Sequence, residues 1–394
     1  MVTEVQKSEI KVSDSTPLIS ERSTGDIDVK KKPIEPRLVS IDALRGFDMF
    51  FIKGGQEFLI ALFALIYTPI AELLNIQFGH VAWDGFHFED LIFPLFVFLS
   101  GVSIPFSVSK RLERGEKTKA LYIHIIKRSL LLYLLGFIYN NGVNLDYMNF
   151  RYLGVLHRIA ICYFVASVIV IQLHGKKDVL RKELIIFTII LLMYWAFMKL
   201  IPVPGYGTGI LTPEGNLSGF LDRLLLPGSF CCYGYGDSEG ILSTIPAVSS
   251  ALFGVISGQL LRSQTKINSN LRKLAVGGFS FILLGLTWNI VFPINKTLWS
   301  SSFVLFAGGW SLLLLVCFYW IIDVRGFKKW SFFFQVIGSN SIFIYMTGGL
   351  LSFGFLADFI NLGIFEELFL FSLEMGCKWL ILYIMYRKKW FLKV

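Results

Sequence analysis

The sequence predicts an all-α fold, a polytopic integral membrane helical bundle of about ten transmembrane helices with both termini cytoplasmic. Three observations predict it. Apolar residues make up 54% of the 394-residue chain and charged residues only 16%, against about 45–50% and about 25% in ordinary soluble domains. Mean hydropathy is +0.62. Apolar runs of membrane-spanning length recur along the chain, and lysines and arginines concentrate in alternate connections between them.

Residues 1–36 are polar, carry Lys30-Lys31-Lys32 and lack the short apolar core of a signal peptide. They are expected to form a disordered cytoplasmic tail. The rest, 37–394, reads as one membrane domain with no separate soluble domain. A bilayer core about 30 Å thick takes roughly 20 helical residues. Candidate spans lie near 43–66, 90–108, 129–142, 154–173, 184–201, 244–261, 273–290, 300–322, 332–356 and 366–386. The third is short, and Gly338-Ser339-Asn340-Ser341 interrupts the ninth.

The charge pattern orients these spans. Lys110, Arg111, Arg114, Lys117, Lys119, Lys127 and Arg128 fall between spans two and three, and Lys176, Lys177, Arg181 and Lys182 between four and five. Later clusters around Arg262, Arg325 and Arg387 keep the same alternation, while the opposite connections carry only Arg151, Arg223 and Lys296. The positive-inside rule puts the basic set in the cytoplasm. It also explains the net charge of +9 without a nucleic-acid partner.

The outward connections are then 67–89, 143–153, 202–243, 291–299 and 357–365. The longest, 202–243, is rich in Gly, Pro and Tyr, a composition suited to binding on a rigid scaffold. Its acidic residues Glu214, Asp222, Asp237 and Glu239 could recognise an amine or hydroxyls, but read more simply as solvated loop charges. Among the five cysteines no Cys-x-x-Cys spacing occurs, and no metal site is expected. Cys231 and Cys232 are adjacent, where strain is expected to disfavour a mutual bond. No internal repeat is evident, which argues against an inverted-repeat transporter.

Charges inside spans mark candidate sites. The first span holds Asp42, Arg45, Asp48, Lys53 and Glu57. Asp42 and Arg45, i and i+3, can pair at the cytoplasmic end, and Lys53 with Glu57, i and i+4, can neutralise each other. Before the second span, Asp90 is placed to cap the helix and Glu89 to complement its dipole. Trp83 and Phe86 suit an interfacial belt. His80 is set apart, because packing does not call for an imidazole in this loop and histidine titrates near neutrality. His157 and Arg158 open the fourth span. Asn340 and Ser341 break the ninth, and a polar break of that kind usually lines a cavity.

Several segments, taken in order, carry a resemblance. They are Arg37-Leu-Val-Ser-Ile-Asp42-Ala-Leu-Arg45-Gly46, His80-Val-Ala-Trp83-Asp-Gly85, Asp90-Leu-Ile-Phe-Pro94 and Gly154-Val-Leu-His157-Arg158. Glu239-Gly240-Ile-Leu-Ser-Thr-Ile, Asn295-Lys-Thr-Leu-Trp299-Ser300 and Gly338-Ser-Asn340-Ser341 follow. With these, the chain after residue 37 resembles the heparan-α-glucosaminide N-acetyltransferases of the lysosomal membrane and their bacterial relatives. The resemblance implies an acetyltransferase that takes cytosolic acetyl-CoA and a sugar or glycan acceptor across the membrane, without a metal. It also implies that His80 stands at the family's active-site histidine. The family's second active-site residue, an Asn, falls by count on Gln56, and His157 stands where a Gln is expected.

The chemistry asks for a base toward the acceptor and donors for the developing oxyanion. His80 can be the base or an acetyl carrier, and Gln56 or Asn340 the donor. Basic groups at the cytoplasmic rim should receive the nucleotide: Arg37, Arg45, Lys127 and Arg128 are the candidates, with His157 and Ser341 completing the set for the CoA thioester. Two other readings stay open. One is a secondary transporter of a small polar solute, drawing on Asp48, Lys53 and Glu57. The other is an O-acyltransferase of envelope polysaccharide. A homodimer is compatible with all three, as is either a bacterial inner membrane or a lysosomal or other organelle membrane.

Overall fold

The computed structural model describes residues 38–142, 149–263, 267–347 and 363–392. The tail 1–36 and Arg37 lie outside them. Helix α1 (Val39–Phe50) opens the bundle and is separated from α2 (Gln56–Ile66) by a break at Phe51–Gly55. Short α3 (Thr68–Gln77) leads back into the loop 78–88, and α4 (Glu89–Ile104) runs through Pro105–Ser109 into α5 (Lys110–Glu113). Then follow α6 (Thr118–Asn141), α7 (Val155–Leu173) and α8 (Val179–Leu200). The long connection after α8 holds a two-stranded hairpin, β1 (Pro202–Val203) with β2 (Gly207–Thr208), and α9 (Leu217–Leu225). The chain continues through α10 (Ile241–Arg262), α11 (Ile267–Trp288), α12 (Ser301–Phe318), α13 (Phe332–Ser339), α14 (Ser341–Thr347) and α15 (Glu366–Arg387).

Among the described residues, nine helical stretches are long and apolar enough to cross a membrane, against about ten expected. Two boundaries differ for physical reasons. The third span starts at Thr118, not 129, so Lys119, Lys127 and Arg128 ride on α6 and not in a loop. Long cationic side chains snorkel, so a helix can carry them past the edge of the apolar layer. The ninth span is two short helices broken at Asn340, neither long enough to cross alone, and 348–356 lies outside the described residues.

The centre of the bundle is α4 and α10, with 67% and 83% of their apolar windows buried, against 22% for α11 and 11% for α15. Without a hydrophobic drive between helices in lipid, small residues let backbones approach. A Cβ at Gly101 of α4 would stand 1.9 Å from the Ala251 carbonyl oxygen of α10, and one at Gly254 would stand 2.1 Å from that of Phe98. Gly46 of α1 meets Gly338 of α13 in the same way, each backbone where the other's side chain would be. Buried Arg158 ties α7 to α10, donating to Ser243 Oγ at 2.5 Å and to the Ser238 carbonyl at 2.9 Å, with Trp299 beneath its guanidinium at 4.7 Å.

The break after α1 is sharp. Lys53 leaves helical geometry at φ −121°, ψ 31°, and Gly54 takes φ +114°, a conformation that L side chains rarely adopt. The i,i+4 register of Lys53 with Glu57 is therefore lost, and the expected ion pair gives way to other partners. Lys53 Nζ sits over the Tyr345 ring at 4.7 Å and Tyr139 at 5.7 Å, while Glu57 accepts from Gln56 Nε2 at 3.4 Å. Asp42 and Arg45 do pair, at 3.4 Å.

Candidate active site

The loop 78–88 is held from three sides. Gly85 N–H donates to the Ile294 carbonyl at 2.8 Å, and Asn295 Nδ2 donates at 3.0 Å to both the Trp83 carbonyl and Asp84 Oδ1. Trp83 Nε1 donates to the Leu211 carbonyl at 2.9 Å. Asn295 is itself fixed by the Leu298 N–H on its Oδ1, and its backbone N–H donates to Ser300 Oγ, the N-cap of α12. The segment 294–300 thus works as a staple on the 78–88 loop.

The staple delivers a charged triplet. His80 Nδ1 lies 2.9 Å from Asp90 Oδ1, and Lys296 Nζ lies 3.2 Å from the same ring nitrogen and 3.4 Å from the same carboxylate oxygen. The nearer partner, the Asp90 carboxylate, can only accept, so the consistent arrangement has Nδ1–H donating to Asp90 and Lys296 balancing the Asp90 charge. Asp90 is almost fully buried and takes the His87 N–H at 3.0 Å on its other oxygen. It therefore acts less as the expected cap, for which Phe88 holds the position, than as the anchor of His80. No described residue bonds Nε2, the other ring nitrogen, and His80 lines a cavity of about 440 Å³.

That cavity runs between the loops around His80, Tyr233 and Lys296 and the broken first span. Trp83, Tyr233, Lys296 and Thr297 line it beside His80; Met49, Ile52, Lys53, Tyr139, Ile342 and Tyr345 line it beside the break. Glu239 and the Cys231–Cys232 pair line it as well. These two cysteines are bonded to each other, contrary to the expectation from strain. Cys232 adopts φ 89°, a left-handed turn that brings adjacent sulfurs together, and Asp237 receives the Cys231 N–H at 3.1 Å.

Three of the four acidic residues singled out in the long connection are not the solvated charges that their sequence context suggested, while Glu214 stays partly exposed. Asp222 and Asp237 are buried and Glu239 nearly so. Arg151 grips Asp237 with Nε at 2.8 Å and Nη2 at 2.7 Å, and Glu239 at 2.5 Å. Burial works against the Arg151 charge, but the two carboxylates outweigh it and hold the guanidinium above its ordinary value. Asp222 accepts the Asp237 and Ile241 N–H groups. Burial nevertheless lifts its carboxyl from 3.8 to about 6.

The other sequence candidates are dispersed. Arg37 lies outside the described residues. Arg45 donates to Asp42 and, at 2.9 Å, to Ser103 Oγ. Arg128 lies over the Tyr163 ring at 4.4 Å, next to Lys127 on α6. His157 is fully buried, edge-on to Tyr133 at 4.4 Å and Phe137 at 4.9 Å, with no hydrogen bond to either nitrogen among the described residues. It packs α7 on α6 and does not line the cavity. Gln56 and Ser341 do not line it either. Asn340 Nδ2 donates to the Trp390 carbonyl at 3.0 Å, and its Oδ1 accepts the Leu392 N–H at 2.9 Å, so its amide is committed to the C-terminal segment. Sequence reasoning missed Lys296, Arg151 and Lys53 as cavity groups. The signal for the first two was their isolation, since the connections that hold them carry few other basic residues.

No family model matches the sequence. The chain is 30% identical over 416 aligned residues to the mouse heparan-α-glucosaminide N-acetyltransferase, covering 91% of this chain and 62% of that protein. It is 30% identical to the human protein of the same name, covering 92% and 60%. The chain thus spans about three-fifths of the length of these curated relatives. Over most of its own length, then, this helical membrane protein is similar to the heparan-α-glucosaminide N-acetyltransferases.

Proposed function

We propose that the protein is a transmembrane acetyltransferase that moves an acetyl group from cytosolic acetyl-CoA to the amine of a sugar or glycan on the opposite side. In this reading both termini are cytoplasmic, and the thioester enters from the end of the bundle bearing Arg45, Lys127 and Arg128. The observation that carries it is the His80–Asp90 pair at 2.9 Å on a cavity wall.

Asp90 fixes the imidazole tautomer, leaving the Nε2 lone pair for the acceptor. The acceptor nitrogen attacks the thioester carbon while Nε2 takes its proton. The Asp90 charge stabilises the imidazolium that forms. The tetrahedral oxyanion then collapses, the C–S bond breaks, and the thiolate takes the proton back from Nε2. Products are the acetamide and free CoA. The rings of Trp83 and Tyr233, 5.1 Å apart, offer an apolar platform for a sugar face at the same mouth.

The test is acetyl transfer from labelled acetyl-CoA to a glucosamine-terminated acceptor by purified protein. His80→Gln should lower the rate by about 10²–10⁴, the usual worth of a positioned base. Equal rates in wild type and variant would remove His80 from the mechanism.

A further inference from the structure

The cavity needs a donor for the developing oxyanion, and the amides that the sequence suggested are engaged elsewhere. Gln56 Nε2 turns to Glu57 and Asn340 holds the C-terminal segment. Neither lines the cavity. The indole N–H groups that do line it are also spoken for: Trp83 donates to the Leu211 carbonyl and Trp299 to Ser250 Oγ. Arg151 is held by Asp237 and Glu239 through Nε and Nη2, with its charge matched by those two carboxylates, and Lys296 serves the His80–Asp90 pair.

Lys53 is the exception. Its ammonium lies over the Tyr345 ring, itself stacked on Tyr139 at 4.6 Å, and all three line the cavity. Among the described residues, no carboxylate and no acceptor bonds its Nζ. The helix break puts it there: a continuous helix would carry Lys53 within reach of Glu57, whereas the turn at Gly54 removes it from that register. Short π-type breaks within helices are frequent at functional sites. Lys53 also lies beyond Arg45 along the first span, between the cytoplasmic end and the outer loop that carries His80. A thioester arriving from the cytoplasm meets Lys53 before it meets the imidazole.

Taken with the acetyl-transfer reading, on which it rests, the geometry points to Lys53 as a catalytic residue that donates a charge-assisted hydrogen bond to the thioester carbonyl and then to the oxyanion. The proton on Nζ is not transferred. When the acceptor nitrogen attacks, the carbonyl π electrons move onto oxygen, and the ammonium balances that charge. When the C–S bond breaks, the pair returns to the carbonyl. The aromatic rings hold the ammonium through their faces without removing its N–H donors.

The experiment compares Lys53→Met and Lys53→Arg with wild type in two assays. In acetyl transfer, Lys53→Met should lower kcat by about 10²–10³, the usual cost of one oxyanion donor, with the acceptor KM little changed, and Lys53→Arg should keep part of the rate. In binding, S-ethyl-CoA, which lacks the carbonyl, should bind wild type and Lys53→Met equally, confirming a folded site. Acetyl-CoA should bind wild type severalfold tighter than S-ethyl-CoA, and that difference should vanish in Lys53→Met. A kcat within threefold of wild type, a rise confined to acceptor KM, or loss of S-ethyl-CoA binding would each overturn the role of Lys53 alone. A wild type that binds neither CoA thioester nor thioether, or transfers no acetyl group, would overturn the acetyl-transfer reading and this one with it.

Discussion

Two helix breaks among the described residues, at Asn340 and at Lys53-Gly54, have opposite consequences. At Asn340 the break between α13 and α14 is closed: the amide satisfies one donor and one acceptor of the C-terminal segment. At Lys53-Gly54 the break between α1 and α2 is half open: the Lys53 carbonyl takes Lys378 Nζ at 3.2 Å, but the Lys53 ammonium reaches a cavity without an acceptor among the described residues. A polar break in a membrane helix must find partners for its groups inside the protein. Where the fold supplies those partners, the break is a joint. Where it does not, the unmet group is left for a ligand.

Four substitutions test that contrast. The largest effect is expected at the far wall of the open cavity. Asp90→Asn should lower kcat by about 10²–10⁴, because an amide no longer selects the Nδ1–H tautomer of His80; a rate near that of wild type would detach the open break from any chemistry. Next comes Gly54→Ala, which tests whether the turn is required. The nearest atom to a new Cβ is Met375 Cε at 3.7 Å, so there is room. The positive φ alone should then cost about 1–2 kcal/mol of stability, read as a lower melting temperature in detergent, with a parallel fall in transfer rate.

Asn340→Ala should separate the two breaks most clearly. Losing both bonds to residues 390–392 should destabilise the protein by about 1–3 kcal/mol, while kcat per folded molecule stays within a few fold of wild type. A collapse of kcat at full stability would reverse the assignment. The smallest effect concerns Asp222, on the outer loop and away from both breaks. Its folded value of about 6 exceeds the ordinary 3.8 because burial disfavours the charge. The stability it contributes is therefore present below pH 3.8 and lost as pH rises through 6. Thermal melts from pH 4 to 7 should show that decline in wild type and a flatter profile in Asp222→Asn. Matching profiles would remove Asp222 as its source.

The broad fold was legible because hydropathy and charge alternation act on every span at once. The Asp42–Arg45 pair and the setting of His80 before α4 followed from local spacing alone. What was not legible depended on tertiary partners. Lys53 and Glu57 stood at a pairing distance that holds only for an unbroken helix, and Gly54 breaks it. Asn340 was placed by type, as a break that should line a cavity, but its partners are fifty residues away at Trp390 and Leu392. Asp237 and Glu239 looked like surface charges until Arg151, more than eighty residues distant, enclosed them. Cys231 and Cys232 bond because a left-handed turn joins them, which spacing did not announce.

The 294–300 staple has a consequence for how the His80 end of the bundle opens. Ile294 and Asn295 hold the His80 loop at Gly85, Trp83 and Asp84, and Lys296 belongs to that same short segment. His80, its anchor Asp90 and Lys296 are thereby tied into one cooperative unit. Amide hydrogen exchange should release Gly85 and the 294–300 backbone at a single rate rather than in sequence. A molecule loosened at this segment would lose the whole constellation at once, with no half-assembled intermediate arrangement.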